Sequence, residues 1–131
     1  MRYRGGPPGG PAVLLDGERK EAPSPVQTIL VALASCSAID VVEILEKRRT
    51  PPESLEVKVE FERAATHPRR LVRVHLAFHV TAPSERKHVE RAIELSLEKY
   101  CSVSASLAPD TEIDYSLELH DAAAVAGEGE A

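Results

Sequence analysis

The residues from Val26 to Leu45 are apolar or small on almost every side of a helix. This pattern is typical of a helix buried around most of its circumference, because a surface helix keeps one polar side. Its start is marked by Ser24 before Pro25, with Gln27 three residues after the serine, which together form a capping-box signature. A chain of 131 residues has too little material to surround such a helix with one small sheet. The sequence therefore predicts a twofold homodimer in which the central helices of two copies face each other.

The rest of the chain alternates between strand and helix patterns. Asp16-Gly17 follows a short apolar run and predicts the turn of an N-terminal hairpin, because this pair tolerates positive φ. Two alternating segments flank a loop at 64–69 and predict paired antiparallel strands. Ser84 is predicted to cap a second, amphipathic helix. The predicted order is β, long α, β, β, α, short α, β, an α+β class, with strands near 12–15, 55–61, 72–80 and 113–119, a central helix that stops near Arg49, and a short helix at 102–108.

Glycine and charge distribution predict the domain organisation. All seven glycines lie before Glu18 or after Ala126, so one compact domain is predicted over residues 12–120. Residues 1–11 are expected to form an N-terminal arm and residues 121–131 a flexible C-terminal tail. The net charge of −5 and the lack of Trp argue against a nucleic-acid partner. The absence of an uninterrupted apolar run of about 18–20 residues predicts a cytoplasmic protein without a membrane segment.

Cys36 and Cys101 are the only cysteines, and their separation along the chain excludes a local CxxC motif. Cys36 lies between small side chains in the central helix, about three turns from the N-terminus, where the helix dipole no longer stabilises a thiolate. Cys101 lies at the predicted start of the short helix, where backbone N–H groups favour negative charge. The residues alone leave open a second interpretation, in which both cysteines are small buried hydrophobes.

Other polar residues are assigned structural roles. Asp40 follows Cys36 by one helical turn, and it is predicted to accept hydrogen bonds or to pair with a cation at the subunit contact, because a charged Asp40 would disfavour a nearby thiolate. His75 and His79 lie on one face of a strand, which predicts a solvated surface rather than a metal site. No glycine-rich phosphate loop follows a strand, and neither a metal nor a cofactor is predicted.

Two separated motifs resemble those of one known family. They are PSPVQTILVALASCSAIDVV at positions 23–42 and LEKYCSV at positions 97–103, and they are similar to the OsmC/Ohr family of thiol-dependent peroxidases. The resemblance covers residues 12–119. It implies an α+β OsmC-like fold, in which antiparallel sheets pack on two long helices, and an intertwined homodimer with two active sites at the interface.

The resemblance also implies a chemistry for the two cysteines. In this family a peroxidatic cysteine attacks an organic hydroperoxide and a resolving cysteine then forms a disulfide. Carried over, Cys36 is the peroxidatic nucleophile and Cys101 the resolving thiol. A dithiol of the lipoyl type is the expected reductant. The surroundings of Ile29, Leu33 and Ile39 are expected to form an apolar pocket that favours alkyl hydroperoxides.

The sequence departs from the family pattern around the expected activating groups. Family members carry a glutamate near the start of the cysteine helix that pairs with an arginine beside the reactive sulfur, whereas this chain has Gln27, for which a capping role is equally expected. Arg2 and Arg4 are the candidates for the arginine. Two alternatives therefore accompany the peroxidase hypothesis. One is a redox-sensing or small apolar ligand-binding dimer of the same fold with little peroxidase activity, and the other is a structural dimer with inert cysteines.

Overall fold

The computed structural model describes residues 1–121. They fall into two compact units, Met1–Ala32 and a second unit that begins at Leu33. The predicted C-terminal tail lies outside the described residues except for Asp121, which ends the last strand. The structure is α+β, as the sequence predicts.

The first unit contains a hairpin whose strands differ from the predicted ones. Strand β1 (Arg2–Gly5) pairs antiparallel with β2 (Val13–Asp16), so part of the predicted N-terminal arm forms a strand. The turn lies in the Gly- and Pro-rich segment between the strands, where Gly9 has a φ of 72°. A four-residue strand beginning with alternating Arg residues carries too few apolar positions to be recognised from its pattern.

Asp16 organises the loop after β2 instead of forming the hairpin turn. Its buried carboxylate accepts hydrogen bonds from the backbone N–H groups of Glu18, Lys20 and Glu21, at 2.9, 3.2 and 3.0 Å. These bonds, led by those from Glu21 and Glu18, lower the pKa of Asp16 below its ordinary value because they favour the ionised carboxylate. The Asp16-Gly17 pair therefore begins a loop and does not reverse the hairpin.

Helix α1 (Pro25–Lys47) begins with the predicted capping box. Ser24 Oγ accepts a hydrogen bond from the Gln27 backbone N–H at 3.1 Å, and Gln27 Oε1 accepts one from the Ser24 N–H at 2.9 Å. The predicted stop is also confirmed, since Arg49 has a φ of 64° and the Thr50 N–H bonds to the Leu45 carbonyl at 2.9 Å. A left-handed residue followed by this bond is a common helix C-terminus.

The capping box gives a direct stability prediction. We expect Ser24→Ala to lower the free energy of unfolding by about 1 kcal/mol, because it removes an acceptor from the first turn of α1. Gln27→Glu should have little effect, since a glutamate at this position keeps the acceptor for the Ser24 N–H. Urea unfolding followed by circular dichroism measures both. An unchanged stability in Ser24→Ala would mean that this box does not hold the helix start.

Helix α1 is buried on one side only. Leu33, Val41 and Leu45 are fully buried, whereas Val31 and Ile39 are 57% and 58% exposed. By length and composition alone α1 could also cross a membrane, a test that core helices of soluble proteins pass as well. An apolar surface on α1 is thus left uncovered by the described residues of a single chain.

The second unit contains a three-stranded sheet in the order β3-β4-β5, made of β3 (Ser54–Arg63), β4 (Leu71–Ala82) and β5 (Glu112–Asp121). The predicted antiparallel pairing of β3 and β4 is confirmed. Strand β5, however, runs parallel to β4, so the expectation of purely antiparallel sheets is wrong here. A parallel neighbour requires a long crossover, and two helices form that connection. The alternating buried residues of β4 supply much of the core: Val74, Leu76, Phe78 and Val80.

The crossover consists of α2 (Arg86–Leu95), a π-helical turn (Ser96–Tyr100) and α3 (Ser102–Ser106). Val89, Ala92 and Ile93 of α2 are buried, as its amphipathic pattern predicts. The N-cap of α2 is Glu85, so the expected cap at Ser84 is wrong. The hydroxyl of Ser84 is buried and has no hydrogen-bond partner within the described chain. No sequence pattern indicates the π turn.

Candidate active site

The fold brings Cys36 and Cys101 together with Asp40. The two sulfur atoms and one carboxylate oxygen of Asp40 all lie within 4.8 Å of one another. Cys36 and Asp40 reach this point from successive turns of α1, whereas Cys101 reaches it from the junction of the π turn and α3. Both cysteines are free thiols. A disulfide requires an S–S distance of about 2.0 Å, so the two sulfur atoms would have to approach by at most about 2.8 Å to bond.

Cys101 is held by one hydrogen bond from its backbone and another to its side chain. Its backbone N–H donates to the Ser96 carbonyl at 2.7 Å, five residues back, which is the bond that defines a π turn. Its Sγ accepts a hydrogen bond from the Ser104 N–H at 3.4 Å, and Cys101 is the N-cap of α3. The predicted position at a helix start is therefore confirmed.

The helix start favours a negative charge on Cys101, but burial of the thiol outweighs this effect. Burial raises the pKa of Cys101 above its ordinary value, and this effect exceeds the opposing hydrogen bond from the Ser104 N–H. A hydrogen bond to Cys36 and the negative charge of an ionised Cys36 raise it further. Burial and the neighbouring sulfur thus both disfavour the Cys101 thiolate. Cys101 is only 3% exposed, whereas Cys36 is half-buried and hence more accessible.

Two buried serines connect Asp40 to the crossover. Ser96 Oγ lies 2.8 Å from Asp40 Oδ2 and 3.0 Å from Ser37 Oγ. Because a hydroxyl has one proton, the arrangement that satisfies all three groups has Ser37 donating to Ser96 and Ser96 donating to the carboxylate. The predicted role of Asp40 as a hydrogen-bond acceptor is confirmed. Sequence reasoning missed Ser37 and Ser96, because nothing in the local pattern shows that residues 59 positions apart share a bond.

Two of the candidate activating residues, Arg2 and Gln27, have partners within the first unit. Arg2 forms an ion pair with Glu21. The side chain and backbone of Gln27 are both used in the capping box at the start of α1. Gln27 is thus a capping residue, as one of the two sequence interpretations predicts.

A cavity of about 520 Å³ has Asp40 in its wall. Its lining combines basic residues with apolar ones, and includes Lys47, Arg48, His88, Arg91, Ile44 and Leu95. Two of the residues expected to form an apolar pocket differ in burial. Leu33 is fully buried, whereas Ile39 is exposed and lines a separate groove. The space next to the cysteine cluster therefore has both charged and apolar walls.

The two strand histidines pair with acids of β5. His75 Nδ1 lies 2.7 Å from Asp114 Oδ1, and His79 Nδ1 lies 2.9 Å from Glu118 Oε2. The hydrogen bond from His75 lowers the pKa of Asp114. Neither histidine belongs to the cysteine cluster, and both lie on the face of β4 opposite the buried side chains, as its alternation predicts.

The α+β fold agrees with the comparisons to known proteins. Residues 17–116 match the OsmC-like protein family, and the chain belongs to that family. It is 40% identical to protein YhfA of Escherichia coli K12 over 121 residues, which cover 91% of this chain and 90% of that protein.

Solved structures agree with this assignment. A hypothetical protein from Aquifex aeolicus VF5 is 25% identical, with 92% of this chain and 96% of that chain covered and a TM-score of 0.74. The organic hydroperoxide resistance protein OhrB of Bacillus subtilis is 14% identical, with 91% and 96% covered and a TM-score of 0.53, a likeness of fold alone. The OsmC/Ohr family includes redox proteins, and its members are typically dimeric.

Proposed function

We propose that this protein is a thiol-dependent peroxidase that reduces organic hydroperoxides through a disulfide between Cys36 and Cys101. One observation carries the proposal: a half-buried thiol and a buried thiol lie within 4.8 Å of each other, although they are distant in sequence. The more accessible Cys36 is the peroxidatic residue, and Cys101 resolves. The proposal includes a cytoplasmic location, since a reducing compartment keeps both thiols available.

The reaction proceeds in two thiol steps. The Cys36 thiolate attacks the terminal oxygen of the hydroperoxide, the O–O bond breaks, and Cys36 becomes a sulfenic acid. The leaving alkoxide takes a proton and departs as the alcohol. The neighbouring Cys101 thiol supplies that proton, because burial and the charge on Cys36 have kept it protonated until this moment. The resulting Cys101 thiolate attacks the sulfenic sulfur, and hydroxide leaves and becomes water on taking a proton. A dithiol, of the lipoyl type in this proposal, then reduces the disulfide.

The proposed active form is a homodimer. Val31 and Ile39 on α1 are more than half exposed in one chain, although α1 is apolar over most of its length. A second copy that packs on this helix would remove the apolar surface from water.

Titration of the reduced protein with cumene hydroperoxide tests the activity. We expect one equivalent per chain to remove both free thiols and to yield the Cys36–Cys101 disulfide, detected by peptide mass spectrometry. A free cysteine at the same pH serves as the reference for the rate. If neither thiol reacts faster than the reference, the protein is not a peroxidase of this kind.

A slow redox sensor is the second candidate function. The observation that favours it is the raised pKa of Cys101, because a thiol that keeps its proton resolves a sulfenic acid slowly. Hydroperoxide consumption with both hydroperoxide and dithiol in excess separates the two functions. A sensor would form the disulfide completely yet turn over slowly even when dithiol is in excess, whereas a peroxidase would consume many equivalents.

A further inference from the structure

Asp40 is poorly placed to activate a cysteine. A carboxylate next to two thiols disfavours a thiolate, because like charges repel in a partly buried site. The same three groups are well placed to hold a cation, since their donor atoms lie within 4.8 Å of one another. A divalent cation would convert that repulsion into attraction.

We propose that reduced Cys36 and Cys101, together with Asp40, bind a thiophilic divalent cation of the Zn²⁺ class. Zinc–sulfur distances of about 2.3 Å and zinc–oxygen distances of about 2.0–2.2 Å place tetrahedral donors about 3.3–3.8 Å apart. From their upper limit of 4.8 Å the three donors therefore need to close by about 1.0–1.5 Å. Two soft thiolates select Zn²⁺ over Mg²⁺ and Ca²⁺, which prefer oxygen ligands.

Two of the three ligands are already oriented by neighbouring groups. The fully buried Ser96 donates to Asp40 Oδ2 at 2.8 Å and so fixes the carboxylate. The Ser104 N–H points at Cys101 Sγ at 3.4 Å. Such supporting hydrogen bonds are typical of metal sites, where they hold ligands in place before the ion arrives.

The cavity of about 520 Å³ beside Asp40 provides a route for the ion. Three protein ligands leave a fourth position of the tetrahedron for water, as in open zinc sites. Two thiolates and a carboxylate carry three negative charges, so a bound Zn²⁺ leaves one negative charge. Lys47, Arg48 and Arg91 in the cavity wall lie on the side where that charge can be balanced.

A bound ion would also control the reaction of the two thiols with hydroperoxide, an inference that rests on the proposed function. Both thiolates are engaged by the ion, so the loaded protein is protected from hydroperoxide. When oxidation does occur, the two thiolates together give two electrons to the hydroperoxide. The S–S bond forms, the products take two protons and leave as alcohol and water, and the ion is released because a disulfide is a poor ligand.

The test uses the full reduced chain and Co²⁺ as a spectroscopic substitute for Zn²⁺. We expect one Co²⁺ per chain, thiolate-to-cobalt charge-transfer absorption, and displacement of Co²⁺ by Zn²⁺ but not by Mg²⁺. Asp40→Asn should weaken Zn²⁺ binding at least tenfold. Ser96→Ala should weaken it by about 10- to 100-fold, because it frees the carboxylate. Glu43 lines the same cavity but is not a ligand, so Glu43→Gln should leave Zn²⁺ binding unchanged.

Two results would overturn the site. One is the absence of charge-transfer absorption in the reduced wild-type chain. The other is Zn²⁺ binding that is unchanged in both Asp40→Asn and Ser96→Ala, since the thiols would then bind without the carboxylate. Circular dichroism of each variant identifies any that fails to fold. The hydroperoxide titration is done separately in the presence of a chelator, so a protein without peroxidase activity can still show the metal site.

Discussion

Cys36→Ser is expected to abolish hydroperoxide consumption, whereas Cys101→Ser is expected to leave one turnover per chain. Without Cys36 no accessible nucleophile remains in the pair, because Cys101 is buried and its pKa is raised. Without Cys101 the first step still occurs, but the Cys36 sulfenic acid has no resolving partner. Excess hydroperoxide then oxidises it to sulfinic acid, which does not return to the thiol in dithiol.

The two variants are compared by hydroperoxide loss over time and by the mass of the Cys36 peptide. For Cys101→Ser we expect a burst of one equivalent and then a gain of two oxygen atoms on that peptide. Ser104→Ala is a matched control, because it changes a neighbour of Cys101 while the backbone N–H that bonds to the sulfur is retained. Equal losses in both cysteine variants would contradict the division between peroxidatic and resolving residues.

The second large effect concerns the homodimer. We expect the wild-type chain to have a mass near twice its 14.2 kDa in solution, and Ile39→Asp to shift it toward the monomer. Ile39 is 58% exposed in a single chain and lies in the apolar part of α1. If a second copy covers this position, the new carboxylate would be buried without a partner, which costs several kcal/mol per copy.

Sedimentation velocity over a range of concentrations measures this change. Ile39→Val keeps an apolar side chain and should remain dimeric. Lys58→Asp places a carboxylate at an exposed position of β3 and should also remain dimeric. A wild-type chain that sediments as a monomer, or an Ile39→Asp chain that stays a dimer, would show that α1 does not pair through this face.

Sequence patterns predicted the elements that depend on neighbours along the chain. The start of α1 was predictable because its capping box lies within four residues, and β4 was predictable because its alternation matches one buried face. The direction of β5 was not, since an alternating pattern reads the same in either direction. Strand β1 was missed because its pairing with β2 gives no signal in four residues.

The site was predictable only in part for a related reason. The resemblance to a family implied roles for Cys36 and Cys101, but it did not give the distance between the two sulfur atoms. Ser96 was missed, because a lone serine near the end of an amphipathic helix has no distinctive pattern. The helix start was expected to favour the Cys101 thiolate, but burial raises the pKa by more than the helix start lowers it. Burial depends on what packs around the thiol, which short-range sequence patterns do not show.

The π turn between α2 and α3 has a consequence for how the chain can change in length. In a regular α-helix, residues five apart point about 140° away from each other, since each residue turns by about 100°. The wider turn allows both Ser96 and Cys101 to reach the same neighbours on α1. A homologue that lacked one residue between them would place the serine and the cysteine four residues apart, about 40° from each other on a regular α-helix, and would keep both on one face. A homologue that kept the five-residue spacing but formed a regular α-helix there would retain every site residue and still lose the pair, so the local geometry of this turn is as informative about a relative as the cysteines themselves.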